Sequence, residues 1–171
     1  MTVLVRRGDP ADAQALVALA NAVSAEPEGW MIWNEWRSVG DERRYLRAVR
    51  RHPDAAVYVA EVDGELAGRL SLARDPNPAS HHVADLGLMV DSRFRRRGFG
   101  RALLEAAAEW APEHGVGKLE LHVFPWNEPA IALYESFGFE REGYRKRHYV
   151  RGGELVDAIL MAYFVEPAGE G

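Results

Sequence analysis

The sequence predicts a mixed α/β fold, with a central and mainly antiparallel sheet of about seven strands flanked by about four helices. Segments of alternating apolar residues and segments with apolar residues at helical spacing follow one another in the order β-α-α-β-β-β-α-β-α-β-β. The pairs Asp63-Gly64 and Gly152-Gly153 each separate two predicted strands and suit tight hairpin turns. This interspersed order excludes all-α and sandwich folds.

The first third of the chain begins with a short strand at 3–5, after which Asp9-Pro10 opens a helix. The apolar residues of that helix recur at helical spacing: Leu16, Leu19, Ala20 and Val23. The segment 26–36 interrupts the pattern with a proline, a glycine and three tryptophans. A second helix follows and ends at His52-Pro53, because a residue before proline disfavours the helical conformation.

The remaining elements alternate more regularly. Strands are predicted at 57–62, 66–72, 83–90 and 119–124, and as a hairpin within 139–164. Helices are predicted after Gly98 and Gly100, halted near Pro112, and at 128–137, ended by Gly138. We expect residues 1–165 to form a single domain and residues 166–171 to be a frayed tail.

Composition limits the function classes. The 171 residues include no cysteine, which removes disulfides, thiolate-ligated zinc and a cysteine nucleophile, and favours a reducing cytoplasm. No segment approaches the about 18 apolar residues of a membrane span, and no export signal begins the chain. The formal net charge of −5 gives no global attraction for nucleic acid. We therefore expect neither a membrane nor a nucleic acid as a partner.

A basic loop follows the strand that ends at Leu88-Met89-Val90. It contains Arg95-Arg96-Arg97 and leads through Gly98-Phe99-Gly100 into an amphipathic helix. A helix start offers unpaired N–H groups, and glycines allow close backbone approach, so this arrangement suits a pyrophosphate. A solvated turn is the plain alternative. A Rossmann loop lacks its third glycine, since Leu103 stands there, and the Gly-Lys-Ser or Gly-Lys-Thr of a P-loop is absent.

Two motifs in this region resemble those of the GNAT superfamily of N-acetyltransferases. The first is Arg95-x-x-Gly98-x-Gly100 after Leu88-Met89-Val90, which is similar to the acetyl-CoA signature of that superfamily. The second is the segment 127–139, which fits N-x-x-A-x-x-L-Y-x-x-x-G-F. The resemblance covers roughly residues 57–165 and implies a GNAT-like fold, acetyl-CoA as co-substrate and transfer of an acetyl group to an amine.

The resemblance also implies which residues hold the co-substrate. The strand end would present main-chain groups to the acetyl and pantetheine arm, the basic loop would surround the pyrophosphate, and Asn127 would bind the pantetheine region. The complete set of implied cofactor-binding residues is Leu88, Met89, Val90, Arg95, Arg96, Arg97, Gly98, Phe99, Gly100, Arg101 and Asn127.

Tyr134 is the predicted general acid. The resemblance implies that it faces the thioester sulfur, and a phenol with a pKa of about 10 is protonated at neutral pH. Asn127 and Tyr134 are seven residues apart and therefore share one helix face. The structural alternatives are an ordinary N-cap for Asn127 and a packing role for Tyr134.

The general base is open between two residues. His122 lies on the predicted strand 119–124, in a position that a glutamate base occupies in relatives acting on protein N-termini, and imidazole has a pKa near 6.5. Asp85 on the preceding strand is the other candidate, directly or through a water. For each of the two, the structural alternative is a polar residue at a sheet edge. The histidine pattern predicts no metal site.

The acceptor is predicted from weaker signals. In this superfamily the segment between the first two helices commonly builds the acceptor wall, and here it carries Trp30, Trp33 and Trp36; helix packing is the alternative. Strand 82–92 and hairpin 151–157 resemble those of bacterial members that acetylate free amino acids. We therefore expect a free amino acid or small amine as partner and allow for a homodimer. A peptide or protein amine, and a CoA-binding sensor without turnover, are the alternatives.

Overall fold

Seven strands form one sheet, in the spatial order β1-β2-β3-β4-β5-β7-β6. The computed structural model describes residues 3–33 and 35–166, so the predicted tail lies outside the described residues except for Glu166. The strands are β1 (Val3–Arg7), β2 (Ala55–Val62), β3 (Glu65–Arg74), β4 (Val83–Val90), β5 (Lys118–Val123), β6 (Glu140–Arg151) and β7 (Glu154–Phe164). The helices are α1 (Ala13–Ser24), α2 (Val39–Arg51), α3 (Phe99–Glu113) and α4 (Glu128–Phe137). The predicted class and element order are confirmed.

All neighbouring strands run antiparallel except β4 and β5. Those two are parallel, and only three residue pairs join them: Val83 with Lys118, Ala84 with Leu119, and Asp85 with Glu120. Beyond these pairs β4 stays bonded to β3, up to Val90, while β5 stays bonded to β7, up to Val123. The sheet therefore splits into two halves that share only a short seam.

Helices cover both faces of the sheet. The strand period of two sends alternate residues to opposite faces. Val57, Val59 and Met89 pack with α1 and α2, whereas Leu70 and Leu72 pack with α3. We call these the α1–α2 face and the α3–α4 face. Each has its own buried apolar cluster, so the sheet is held from both sides.

The helix ends follow the predicted chemistry. Asp9 accepts a hydrogen bond from Ala11 N, in a short 3₁₀ turn with Pro10 that leads into α1. Ser38 caps α2 by accepting from Asp41 N, and α2 ends at Arg51, immediately before His52-Pro53. The segment between α1 and α2 contains no helix or strand among its described residues. We call it the tryptophan segment (26–33 and 35–36).

Candidate active site

A cavity of about 680 Å³ lies where β4 and β5 part. Its wall includes β4 residues from Asp85 to Val90 and β5 residues from Leu121 to Val123. On the α3–α4 face it is closed by the basic loop (91–98) and by the starts of α3 and α4. On the α1–α2 face it is closed by the tryptophan segment and by β3. One cavity thus passes through the sheet and is lined by residues from both faces.

The basic loop ends in a backbone turn that favours glycine. Gly98 is the N-cap of α3 with φ of 87°, in the left-handed region, although a Cβ there would meet no atom within 4 Å. At Gly100 a Cβ would lie 2.7 Å from Leu133 Cδ2, so this glycine lets α3 approach α4. Ala102 N donates to Gly98 O, which begins the helical bonding and leaves the earlier N–H groups of α3 without intrahelical partners.

The arginines predicted to act together are separated. Arg96 and Arg101 contribute to the cavity wall. Arg95 also contributes, but its two terminal nitrogens each donate to a carboxylate oxygen of Glu26 at 2.6 Å, and its Nε donates to Val90 O at 3.1 Å. Arg97 is absent from the wall and lies 6.0 Å from the Phe94 ring centroid. Arg95 therefore joins the basic loop to the tryptophan segment.

The other predicted cofactor-binding residues all contribute to the cavity wall: Leu88, Met89, Val90, Gly98, Phe99, Gly100 and Asn127. Asn127 is also the N-cap of α4, where its Oδ1 accepts from Ala130 N at 3.3 Å. Tyr134 lies in the same wall, is 6% exposed and packs on Phe139 with ring centroids 5.5 Å apart. Burial raises the pKa of its phenol further above the ordinary value, which keeps the hydroxyl protonated.

His122 and Asp85 both belong to the cavity wall on its α1–α2 side. His122 Nδ1 lies 2.7 Å from the hydroxyl of Tyr149. Burial, and then the charges of Arg145 and His148, lower the pKa of His122, so the ring is neutral at neutral pH. Asp85 faces the cavity, where burial and then the charge of Glu120 raise its pKa to about 6.

Tyr149 is a wall residue that the sequence did not indicate. It lies in a polar run of β6, where Arg145 to His148 are exposed and no apolar alternation marks an inward position. A break in the β6–β7 register between Arg145 and Tyr149 brings the tyrosine to the cavity. Burial, and then the charge of Asp85, raise the pKa of Tyr149, so Asp85 acts on the tyrosine whose hydroxyl lies beside His122.

The tryptophan segment is held by residues distant in sequence. Trp30 Nε1 donates to Glu26 at 2.9 Å, and Trp126 Nε1 donates to Glu28 O at 3.0 Å. Arg151 of β6 donates to Met31 O. The wall residues of this segment are Trp30, Met31, Ile32, Trp33 and Trp36. The predicted segment therefore lines the cavity on the α1–α2 face.

A buried ionic cluster lies beside this wall. Arg69 of β3 is 4% exposed and Glu42 of α2 is fully buried. Arg37 Nη1 donates to Glu42 Oε2 at 2.5 Å, whereas Arg69 Nη2 is 3.7 Å from Glu42 Oε1, beyond hydrogen-bond distance. The Trp36 and Tyr45 rings lie 4.9 and 5.8 Å from the Arg69 guanidinium carbon. Burial lowers the pKa of Arg69 and Glu42 opposes that shift, but a guanidinium remains charged in proteins.

The sequence contained a partial signal for this cluster. Glu42 shares the spacing i, i+4, i+7 with the buried Leu46 and Val49, so it occupies the apolar stripe of α2. Arg69 is next to the buried Leu70 on β3, so their side chains point to opposite faces of the sheet, and helices or loops cover both faces there. A charged residue at an inward position of each element indicates a buried pair, and sequence reasoning missed it.

The described part of the chain contains neither a metal-ligating cluster nor a membrane-spanning helix. Within 3–33 and 35–166, no group of three or more His, Asp or Glu side chains is placed to hold a metal ion. None of the described helices has the length and apolar character needed to cross a bilayer.

Comparisons with known proteins agree with this geometry. The sequence model of the acetyltransferase (GNAT) family matches residues 19–139. The chain is 34% identical over 161 residues to an L-amino acid N-acetyltransferase of Escherichia coli (strain K12), a match that spans 94% of this chain and 96% of the relative. It is 43% identical over 75 residues to the ribosomal protein bS18-alanine N-acetyltransferase of the same organism, spanning 44% of this chain and 51% of that relative.

A solved structure has the same fold. It is that of an acetyltransferase from Salmonella typhimurium with its cofactor acetyl-CoA, and it superposes with a TM-score of 0.86. The two chains are 20% identical, and the superposition covers 100% of this chain and 98% of the other.

The raised pKa of Asp85 predicts a pH-dependent effect of Asp85→Asn on stability. The pKa of Asp85 is about 6 in the folded chain, against an ordinary value of 3.8. Between these pH values the carboxyl is mostly protonated in the folded chain and mostly ionised in the unfolded chain. Wild-type stability therefore falls as the pH rises from about 4 to 6, and the loss is complete above about 6. Asparagine does not titrate, so the variant lacks this loss. The melting temperature of Asp85→Asn, relative to that of wild type, should therefore be higher at about pH 7.5 than at about pH 4.

Glu120→Gln is the matched comparison for that measurement. It removes the smaller cause of the shift and keeps the burial, so the loss of stability should persist but be smaller and complete at a lower pH. A difference between wild type and Asp85→Asn that is the same at both pH values would contradict the prediction.

Proposed function

The chain belongs to the GNAT family of acetyltransferases, and from that premise we propose that it transfers an acetyl group from acetyl-CoA to the amine of a free amino acid. One observation carries the choice of acceptor. The L-amino acid N-acetyltransferase of Escherichia coli matches this chain over almost the full length of both proteins. The match to the ribosomal-protein enzyme covers 44% of this chain for the Escherichia coli relative and 58% for that of Salmonella typhimurium.

The α3–α4 side of the cavity suits the pyrophosphate and the pantetheine arm. Arg96 and Arg101 supply cations beside the open N–H groups at the start of α3. When bound, acetyl-CoA supplies the thioester carbon that the amine attacks. The residues that would hold it are those of the wall from Leu88 to Arg101 together with Asn127, and Arg95 acts by bracing the loop through Glu26.

The parting of β4 from β5 leaves main-chain groups available for the acetyl group. Asp91 N donates to Ala67 O on β3, and alternate residues of a strand direct their groups to opposite neighbours. Val90 and Leu88 therefore direct their N–H and C=O groups towards the gap between β4 and β5. Arg95 Nε donates to Val90 O from the gap side. The N–H of Val90 is the proposed donor to the developing oxyanion.

Tyr134 is the proposed acid for the departing thiolate. Its burial keeps the phenol protonated at neutral pH, so it has a proton to give. Tyr134 belongs to the α3–α4 side of the cavity wall, together with Asn127 and Leu133. That side is the one assigned to the pantetheine arm, whose sulfur receives the proton.

His122 is the proposed base. Its lowered pKa keeps the imidazole neutral, and if Nδ1 donates to the Tyr149 hydroxyl, Nε2 carries the lone pair. Asp85 is the second candidate, because its pKa of about 6 leaves it ionised at neutral pH but more basic than an ordinary carboxylate. Both belong to the α1–α2 side, opposite the proposed acid.

A peptide amine is the second candidate acceptor, favoured by the 43% identity to the ribosomal-protein alanine acetyltransferase over 75 residues. A non-catalytic sensor would need no groups placed for proton transfer. The cavity wall here contains Tyr134, His122 and Asp85.

Acetyl-CoA and CoA should raise the melting temperature, whereas NAD and ATP should not. A ligand at 100 times its Kd adds about 2.7 kcal/mol of stability, which for a chain of this length is about 5–10 °C. Gly98→Val should abolish most of this increase, because a side chain at positive φ distorts the start of α3. Gly64→Val is the control, since Gly64 also has positive φ and open space but is in the β2–β3 turn, away from the cavity. Equal CoA binding by Gly98→Val would count against the proposed pyrophosphate site.

A screen of amines with acetyl-CoA should find free amino acids preferred. Thiol release measures turnover, and mass spectrometry of the product identifies the acetylated amine. For a given residue, kcat/KM of the free amino acid should exceed that of a peptide with the same N-terminal residue by about tenfold or more, which is about 1.4 kcal/mol of differential transition-state binding. If peptides are turned over faster than every free amino acid, the acceptor is a peptide amine and the proposed free amino acid is wrong.

Tyr134→Phe should lower kcat by about 10²–10⁴ and leave the affinity for acetyl-CoA nearly unchanged, because the proton is needed only in the transition state. The ring that packs on Phe139 is retained, so stability should change little. Tyr163→Phe is the matched control, since Tyr163 packs on the same Phe139 but is absent from the cavity wall. Wild-type turnover in Tyr134→Phe would remove the general-acid assignment.

A further inference from the structure

The ionic cluster beside the tryptophan segment holds more positive than negative charge. Arg37 and Arg69 share the single carboxylate of Glu42, and Arg37 takes the short hydrogen bond. Arg69 is left with a carboxylate oxygen at 3.7 Å and with two aromatic rings. A buried charge without a well-placed counterion is costly, so such a group is expected to have a function or a ligand.

The hydrogen-bonding groups of the cluster are also incompletely satisfied. Three buried polar atoms have no hydrogen-bond partner among the described residues: Arg69 Nε, Glu42 Oε1 and Trp36 Nε1. Arg69 and Trp36 both contribute to the cavity wall. Two residues of the cavity wall on the α1–α2 side, one of them cationic, therefore each carry an N–H donor without a partner. An anion is the ligand that suits a cation and an N–H donor on the same wall.

The register relates this side of the cavity to the reaction. Arg69 pairs with Met89, so it lies about 4.8 Å across the sheet from the end of β4, on the same face as Met89 and Gly87. The gap-facing groups of Leu88 and Val90 are on that same stretch of β4. Asp85 pairs with Ala73, which is four residues and about 13 Å along β3 from Arg69. The cation is thus close to the acetyl position and separated from the negative charge of Asp85.

From this arrangement, and resting on the proposed function, we propose that Arg69 binds the carboxylate of the acceptor and selects amines that carry a carboxylate on the adjacent carbon. In an α-amino acid one carbon joins the two groups, so a carboxylate held at Arg69 keeps the amine beside the end of β4. A peptide N-terminus presents an amide at that position and leaves Arg69 without its anion. Trp36 and Tyr45 hold the guanidinium before the substrate binds, which limits the entropy lost on binding.

The test compares acids with their amides. kcat and KM are measured for the best amino acid of the amine screen, for its carboxamide, and for the amine without the carboxylate, with wild type, Arg69→Gln, Arg69→Lys and Arg47→Gln. Arg47 is exposed on α2 and is absent from the cavity wall, so Arg47→Gln removes one positive charge without touching the site. Melting temperatures and acetyl-CoA affinities are measured for all four proteins.

Wild type and Arg47→Gln should prefer the acid over the amide by about 10- to 100-fold in kcat/KM. Arg69→Gln should lose most of that preference through a higher KM for the acid, with acetyl-CoA affinity unchanged. Arg69→Lys keeps the charge but not the planar guanidinium, so its preference for the acid should lie between those of wild type and Arg69→Gln. If Arg69→Gln does not fold, the wild-type preference and the Arg69→Lys result still decide the question.

Two results would overturn the assignment. If wild type acetylates acid and amide equally, or if the Arg69 variants keep the full preference for the acid, Arg69 is structural, while the proposed amino-acid acetylation stands.

If wild type acetylates peptides and no free amino acid, the proposed function fails. Titration of the CoA-loaded protein with N-acetyl amino acids and their amides then decides the role of Arg69: tighter binding of the acid by wild type, reduced in Arg69→Lys, supports it, and equal binding overturns it.

Discussion

The short parallel seam between β4 and β5 is the constraint on which the other features of the site depend. Three residue pairs hold the two halves of the sheet together, and the strands part after Asp85 and Glu120. A sheet with continuous pairing would keep its two faces apart, because side chains alternate between them. Here the gap joins the faces, so residues from α3 and α4 and residues from the tryptophan segment border one cavity. The same parting leaves the backbone of Leu88 and Val90 without a neighbouring strand on one side.

The two sides of the cavity differ in how their positive charge is held. On the α3–α4 side, Arg96 and Arg101 are exposed, and the helix start adds N–H groups in an open setting that suits a large, hydrated phosphate. On the α1–α2 side, Arg69 is buried under aromatic rings and is compensated only partly by Glu42. A buried guanidinium discriminates between ligands more strongly than an exposed one, because solvent cannot replace the missing partner. This difference fits a general cofactor on one side and a selected acceptor on the other.

Much of the fold followed from local patterns, whereas the site followed only in part. The spacing of Leu16, Leu19 and Val23 predicted α1, and the turn pairs predicted both hairpins, because periodicity and turn chemistry act within a few residues. Gly98 and Tyr134 were found through motifs. The pairing of Arg95 with Glu26 was not, since a run of arginines carries no information about which one meets a carboxylate 69 residues away.

The contacts of Arg69 with Glu42 and of His122 with Tyr149 were missed for the same reason. Each joins two elements whose relative position is set by packing.

The bracing of the tryptophan segment has a consequence for the order of folding. Three of its contacts join it to Arg95, Trp126 and Arg151, at sequence separations of 69, 98 and 120. Such contacts close long loops, and their entropy cost is met only after the partners are in place. The segment also has no helix or strand of its own to form early. We therefore expect it to order late, after β6 has joined the sheet, and to open before the core strands in the native state, so that its amides exchange with solvent well before those of β3 and β4. A nascent chain can accordingly complete its sheet before it has a wall against which an acceptor could rest.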